Sequence, residues 1–246
     1  RHVQGGRLAE PAGDNALESL ARVAELDPGN ATAAAMRREI GVALARDAAA
    51  ADRSGDTAVA LARYDQALMA QPENADYTAA RRAVEQRLDA RQARVASALA
   101  SARSAINARR YLTPAGDNAR EYVESALASD PQNADALRIR DSLPALVREA
   151  AEQLARESRF DDALRLLDEG TRIYPQDTPL SALARSLGSE RDRARAAAQR
   201  ESRLAAVQQL LARGQLSVEV AREAGAIVVE LLAEDAGDSE AMRYRT

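Results

Sequence analysis

Few side chains in this sequence have the chemistry of a catalytic or metal site. His2 is the only histidine, so imidazole acid–base or metal chemistry would rest on one side chain, and no role is expected for it. Cysteine is absent, which excludes thiol catalysis, thiolate-bound zinc and a disulfide framework. The adjacent carboxylates Asp161 and Asp162 have the residue types for general acid–base work. Acids at a helix start, offsetting its dipole, are the expected reading. The hexapeptide Pro-Ala-Gly-Asp-Asn-Ala stands at 11–16 and again at 114–119, so Asp14, Asn15, Asp117 and Asn118 fall in two identical loops. As calcium loops these lack the alternating Asp density that cation demands. As turns they are explained residue by residue. Pro11 and Pro114 end a preceding helix. Gly13 and Gly116 permit positive φ. Asp14-Asn15 and Asp117-Asn118 cap the next helix. The Arg-rich run SERDRARAAAQRESR at 189–203 mixes acids with its arginines and is expected to be a charge-laced exposed helix. No phosphate-cradling glycine loop, Gly-x-Ser-x-Gly elbow or His-Glu-x-x-His pair is present, so no enzyme, cofactor or metal is expected.

Composition narrows the scaffold that positions these residues. Hydrophobic residues make up 46% and charged residues 29% of the 246, a globular rather than disordered balance. Aromatics are only 3%, and alanine fills the apolar positions. Alanine with Arg and Glu favours helix over strand. All 34 basic residues are arginine, and they are interspersed with acids at a net charge of −4, which argues against a nucleic-acid partner. No run of 18 apolar residues exists, so no membrane span is expected. The opening RHVQGG carries neither Met nor a signal-like apolar region and reads as the edge of a fragment of something longer.

The duplicated hexapeptide belongs to a longer repeat. Residues 11–33 align with 114–136 without gaps, and 12 of the 23 positions are identical. The same offset of 103 carries Pro72 onto Pro175, Ala60 onto Ala163 and Leu61 onto Leu164. A further copy lies at an offset of 105, where Gly214-Gln215-Leu216 faces Arg109-Arg110-Tyr111 and Asp235 faces Asp130. Five related units emerge, with closing turns at Pro28, Pro72, Pro131, Pro175 and Ala236.

Each unit reads as a helical hairpin. Residues 42–53 form a helix without breakers, Gly55 suits a left-handed helix stop, and the helix resumes with Ala60, Tyr64, Ala67 and Leu68 on one stripe. Pro72 ends it, and Asn74 caps the next helix. One hairpin cannot bury its apolar face alone, so such units come in series. Tyr64 reads as core. Tyr77, Tyr122 and Tyr174 stay open between packing and partner contact.

Gly55-Asp56, Ala60, Tyr64, Ala67, Pro72 and Asn74 resemble the second helix of a tetratricopeptide repeat. Ala163, Leu167 and Pro175 fit the same register after Phe160. Ala16, Leu20, Pro28 and Asn30, with Ala119, Val123, Pro131 and Asn133, fit with a longer inter-helix turn. The first-helix signature is reduced to Leu44, Ala48 and Ala51, and the closing turns lie 44, 59, 44 and 61 residues apart, unlike the family's regular spacing. The resemblance implies an all-α, elongated αα-hairpin solenoid with an internal duplication of about 103 residues, binding proteins or peptides along the face of its first helices. Val42, Ala45, Ala49 and Asp52 occupy that face in the second unit, without the Lys and Asn of the family's carboxylate clamp. An alanine-lined face suits close packing against another helix.

The extra residues between units are expected to be helical too. Residues 31–39 and 134–141 each read as a short helix, separated by a kink or break at Gly41 and Pro144 from the first helix of the hairpin. Residues 75–109 contain no Pro or Gly. Val84, Leu88, Val95, Leu99, Ala102 and Ile106 give them a near-heptad stripe interrupted around Arg91-Gln92. In 178–213 a break is expected at Gly188, with Ser189 and Asp192 as a capping box. The organisation expected is 1–110, a first repeat pair with its connecting helix at 75–109; 111–213, a second pair with its connecting helix at 178–213; and 214–246, a partial C-terminal repeat, all in one continuous array.

The function expected is a non-catalytic protein-interaction or scaffolding module with a protein or peptide partner. The wording GRL…P.GDNA…LDPGN resembles the extracytoplasmic repeats of Gram-negative inner-membrane proteins, including TonB-like energy transducers and membrane-attached regulators. That likeness implies a periplasmic location beside a membrane anchor elsewhere in a longer protein, the cytoplasm being the alternative. A domain that senses a small molecule or cell-wall glycan is the second expectation.

Overall fold

The computed structural model describes residues 7–212 and 217–245, and these are all-α. His2 and the 214–216 match lie outside the described residues. Ten helices run in order: α1 (Ala16–Leu26), α2 (Ala31–Arg53), α3 (Thr57–Ala70), α4 (Ala75–Asn107), α5 (Ala119–Ser129), α6 (Ala134–Arg156), α7 (Phe160–Ile173), α8 (Thr178–Ala212), α9 (Val218–Glu234) and α10 (Ser239–Arg243). No helix among the described residues is long and apolar enough to cross a membrane.

The five closing turns share one hydrogen-bond pattern. A backbone N–H at the turn's first residue reaches back four residues: Asp27 to Val23, Gln71 to Ala67, Asp130 to Ala126, Tyr174 to Gly170 and Asp235 to Leu231, at 2.8 to 3.0 Å. Three residues on, Asn30, Asn74, Asn133, Asp177 or Asp238 donates its N–H to that residue's carbonyl, at 3.0 to 3.2 Å. The same side chain then caps the next helix, accepting from Ala33, Tyr77, Ala136, Leu180 or Ala241 N–H at 2.8 to 3.1 Å. Each turn thus satisfies helix-end groups that would otherwise stay unpaired. The fifth does so without proline, because the carboxylate of Asp235 accepts the Gly237 N–H at 2.8 Å.

The helix stops inside the hairpins also recur. After α2, Gly55 sits at φ 84° with its N–H on Asp52 O, and the Asp56 N–H reaches Ala51 O. After α6 the left-handed residue is Ser158 at φ 59°, and after α4 it is Arg109 at φ 58°, with matching pairs of bonds. This double closure is the Schellman motif.

The chain divides into two compact units, Arg1–Ser101 with Tyr122–Ala136 and Ala102–Glu121 with Leu137–Thr246. In the first, Ala16, Leu20, Ile40, Leu44 and Ala67 form one buried cluster, and Ala48, Ala60, Tyr64 and Val84 form another. Small alanines bring α2, α3 and α4 close, and Tyr64 fills the gap that they leave. In the second, Val147 and Ala151 of α6, Ala163 and Leu167 of α7, and Leu180 and Leu187 of α8 form the largest cluster, with Tyr111 and Leu112. Gly170 permits this approach: a Cβ there would lie 3.1 Å from Val147 Cγ1 and 3.6 Å from Leu180 Cδ1. Val207, Leu210, Ala224 and Val228 join α8 to α9.

The helices do not break at Gly41 and Pro144, where a kink or break is expected, nor at Gly188, where a break is expected. Helix α2 runs through Gly41, α6 through Pro144 and α8 through Gly188. Gly41 is buried where α2 meets the turn after α3, and a Cβ there would lie 2.5 Å from Gln71 Nε2. It serves close approach, and mid-helix glycine costs only about 1 kcal/mol. Pro144 deletes one helix bond, but Leu143 and Val147 on either side are fully buried, so packing holds both halves in one helix. Ser189 does not cap a new helix: its hydroxyl donates to Arg185 O at 3.1 Å, inside a continuous α8. Pro179 lies in the first turn of α8, where its missing N–H costs no intrahelical bond. Helix α4 is unbroken over its 33 residues, about 50 Å at ~1.5 Å per residue. Of its stripe, Val84, Val95, Leu99 and Ala102 are buried, with Leu88 and Ile106 half-buried.

Candidate functional site

In each hexapeptide loop the structure turns the asparagine inward and leaves the aspartate side chain about half exposed, 54% for Asp14 and 45% for Asp117. In the first copy Asn15 is 2% exposed; its Oδ1 accepts the Glu18 N–H at 2.9 Å and its Nδ2 donates to Pro11 O at 3.0 Å. In the second, Asn118 is fully buried; its Oδ1 accepts the Glu121 N–H at 3.0 Å and its Nδ2 donates to Pro114 O at 2.8 Å. Gly13 and Gly116 take φ 84° and 81°, and donate their N–H to the Glu18 and Glu121 carboxylates at 2.7 and 2.6 Å. Asn118 and then the Gly116 N–H hold the Glu121 carboxyl below its ordinary range. The asparagine side chains cap, together with the carbonyls of Arg7 and Leu8 in the first copy and Arg110 and Tyr111 in the second. Asp14 and Asp117 instead pair with Arg7 and Arg110 across the loop. Both amide ends of each asparagine are thus committed within the protein. The glutamate three residues after each asparagine was a legible signal that sequence reasoning missed.

Asp161 and Asp162 point to different partners. Asp162 takes Arg159 at 2.7 Å and also Arg165, and Arg159 first, then Arg165, holds its carboxyl below the ordinary range. Asp161 faces α8 and accepts Arg195 at 2.8 Å, with Arg191 at 3.8 Å. The two carboxylates thus face different arginines, Asp162 those of its own helix and Asp161 those of α8. These side chains, with Phe160, Ala194 and Ala198, line a cleft of about 470 Å³ in the second unit.

The arginine run lies in the middle of α8, where every residue from Asp192 to Ser202 is exposed. Several of its charges are matched: Arg191 with Asp192 at 2.8 Å, Arg195 with Asp161, and Arg203 with Glu234 at 2.5 Å. Arg200 meets Asp238, a pair that the sequence reading missed. Asp238 is 4% exposed, and Arg200, helped by the Ala241 and Glu240 N–H groups, drives its carboxyl far below the ordinary range. The signal was available at the offset of 105: Asn133 becomes Asp238 where Val95 becomes Arg200.

On the α2 face, Val42 is 61% exposed, Ala45 and Ala49 are half-buried, and Asp52 accepts Arg87 of α4 at 2.6 Å. The chain's own long helix takes the charged end of this face. Tyr64 is core, at 7% exposure. Tyr77 packs against the Ile40–Leu44 cluster with its hydroxyl 3.3 Å from Gln71 Nε2, and Tyr174 packs beside Val147 and Leu167. Tyr122 is half-buried. Among the described residues no three His, Cys, Asp or Glu side chains gather as a metal site.

No protein-family model matches the chain, and no curated protein matches it.

Proposed function

We propose that this chain is a non-catalytic protein-interaction module built from tetratricopeptide-like helical hairpins. The observation that carries the reading is the α2 face. Val42 stands 61% exposed, with the half-buried Ala45 and Ala49 on the same side of the helix, small residues that let a partner helix or extended segment approach closely. The buried asparagines of the hexapeptide loops support it, because both amide ends of each serve the architecture rather than a ligand. The location proposed is the periplasm, within a longer membrane-anchored protein, on the likeness of the loop wording alone.

The test is site-specific photo-crosslinking in an envelope extract from position 42, with position 47, on an exposed part of the same helix, as control. A discrete adduct formed from position 42, absent from position 47 and lost on Ala45→Arg substitution, is expected. Equal, diffuse labelling from both positions overturns the reading.

A further inference from the structure

The two long helices match in two registers. Val84 and Leu187, both buried, are 103 apart (187 − 84), whereas the buried pairs Leu99 and Leu204, Ala102 and Val207, and Ala105 and Leu210 are each 105 apart (204 − 99, 207 − 102, 210 − 105). Helix α8 therefore carries two more residues than α4 between these anchors. In the later register Arg200 takes the place of Val95, and the helix cap Asp238 takes the place of the cap Asn133.

The exchange has a spatial consequence in each unit. In the second, the Arg200 guanidinium lies against the closing turn, its Nε and Nη2 at 2.6 and 2.8 Å from the two Asp238 oxygens and Nη2 at 3.5 Å from Glu240. In the first, the corresponding corner is a cleft of about 420 Å³, with Leu88, Val95 and Leu99 on one wall and Asp130 and Asn133 on the other. Asp130 accepts the Gln132 N–H at 3.3 Å on one oxygen and Asn133 Nδ2 at 3.2 Å on the other. A carboxylate has about four acceptor positions, so a second donor fits each oxygen. Arg91, the cation of the cleft wall, reaches Thr57 Oγ1 at 3.5 Å.

We propose that this first-unit cleft binds an arginine side chain presented by a protein partner, a proposal that rests on the interaction-module reading. In the second unit the arginine takes the cap carboxylate Asp238; in the first that place is Asn133, and the carboxylate of the cleft is Asp130, three residues earlier. A planar guanidinium offers two parallel N–H bonds to a carboxylate, and its methylene stem lies on apolar surface. Leu88 and Ala96, with the largely buried Val95 and Leu99, line that surface, and Asp130 supplies the carboxylate. A lysine, a point charge without the fork, fits less well.

The test uses the whole chain and the peptides acetyl-Ala-Leu-Arg-Ala-amide and its lysine counterpart, followed by NMR shifts of the Val95 and Leu99 methyls. Saturable shifts are expected with the arginine peptide and at least tenfold weaker binding with lysine. Asp130→Asn is expected to weaken binding by about tenfold or more. The double substitution V95R/N133D, which rebuilds the second unit's pair inside the cleft, is expected to leave a folded protein that no longer binds. Arg200→Ala, in the other unit, is expected to bind as the parent does. No saturable shift with the arginine peptide, or binding that survives V95R/N133D, overturns the proposal. If position 42 still cross-links a discrete partner while the peptide fails, the cleft assignment alone falls. If both fail, the interaction-module reading falls with it.

Discussion

Arg200 grips Asp238 with two parallel bonds, Nε at 2.6 Å and Nη2 at 2.8 Å from opposite carboxylate oxygens. The carboxylate is 4% exposed and also caps α10 through the Glu240 and Ala241 N–H groups. Arg200→Ala strips a buried anion of its counter-charge. Asp238→Asn removes the anion, keeps a capping oxygen, and leaves a guanidinium with 43% exposure free to turn to water. Arg200→Ala is therefore expected to lower the melting temperature more than Asp238→Asn. Thermal unfolding monitored by circular dichroism decides this, and the reverse order refutes it.

Glu121 and Asp238 are, with Asp162, the lowered carboxyls whose contribution is lost in acid. Glu121, by Asn118 and the Gly116 N–H, and Asp238, by Arg200 and two N–H groups, are held below their ordinary values of 4.5 and 3.8. A carboxyl lowered in the folded state stabilises fully above its unfolded value, and that contribution is lost as pH falls through the folded value. Melting temperature should hold level from pH 7 to about 5 and fall below about 4. In Glu121→Gln the fall should be shallower. An unchanged slope in that variant argues against Glu121 as a contributor.

Asn118→Ala leaves the Glu121 N–H and the Pro114 carbonyl without their partners in a fully buried place. Loss of a cap and of a buried bond together costs about 2 kcal/mol. Urea denaturation at neutral pH measures this, and a loss within about 0.5 kcal/mol, the usual range of a surface substitution, contradicts the tether assigned to Asn118.

Ser158 holds the left-handed conformation that Gly55 holds in the earlier hairpin, φ 59° against 84°. Relief of the Cβ strain exceeds the added chain entropy of glycine, so Ser158→Gly should stabilise by about 0.5–1 kcal/mol. Gly55→Ala, with φ still positive, should destabilise by a similar amount. The two shifts in denaturant midpoint must have opposite signs.

Gly188 and Gly170 are both helical yet differ in surroundings. A Cβ at 188 meets nothing within 4 Å, and one at 170 lies 3.1 Å from Val147. Gly188→Ala should gain about 0.8–1 kcal/mol of helix propensity. Gly170→Ala should lose about 1 kcal/mol, overpacking outweighing that gain. If both variants stabilise, the tight approach at Gly170 is wrong.

Much of this architecture was legible because it is made locally. The caps Asn15, Asn30, Asn74, Asn118 and Asn133 arise from turn chemistry within a few residues, and the stripe Ala60, Tyr64, Ala67 arises from helical period. Gly41, Pro144 and Gly188 misled for the complementary reason: their local preference for a break is worth only about 1–3 kcal/mol, less than the packing of Leu143, Val147 and Leu187 on the cores around them.

The sequence alone determined that the chain is helical, where its hairpins turn, and that its hexapeptides are loops, since hydrogen bonds between residues a few positions apart need no distant partner. Only the tertiary structure decided that α2, α6 and α8 run unbroken, that Asp14 and Asp117 face arginines instead of capping, and that Arg200 closes on Asp238. Those outcomes turn on side chains brought together across tens of residues, where burial and shape outweigh local propensity.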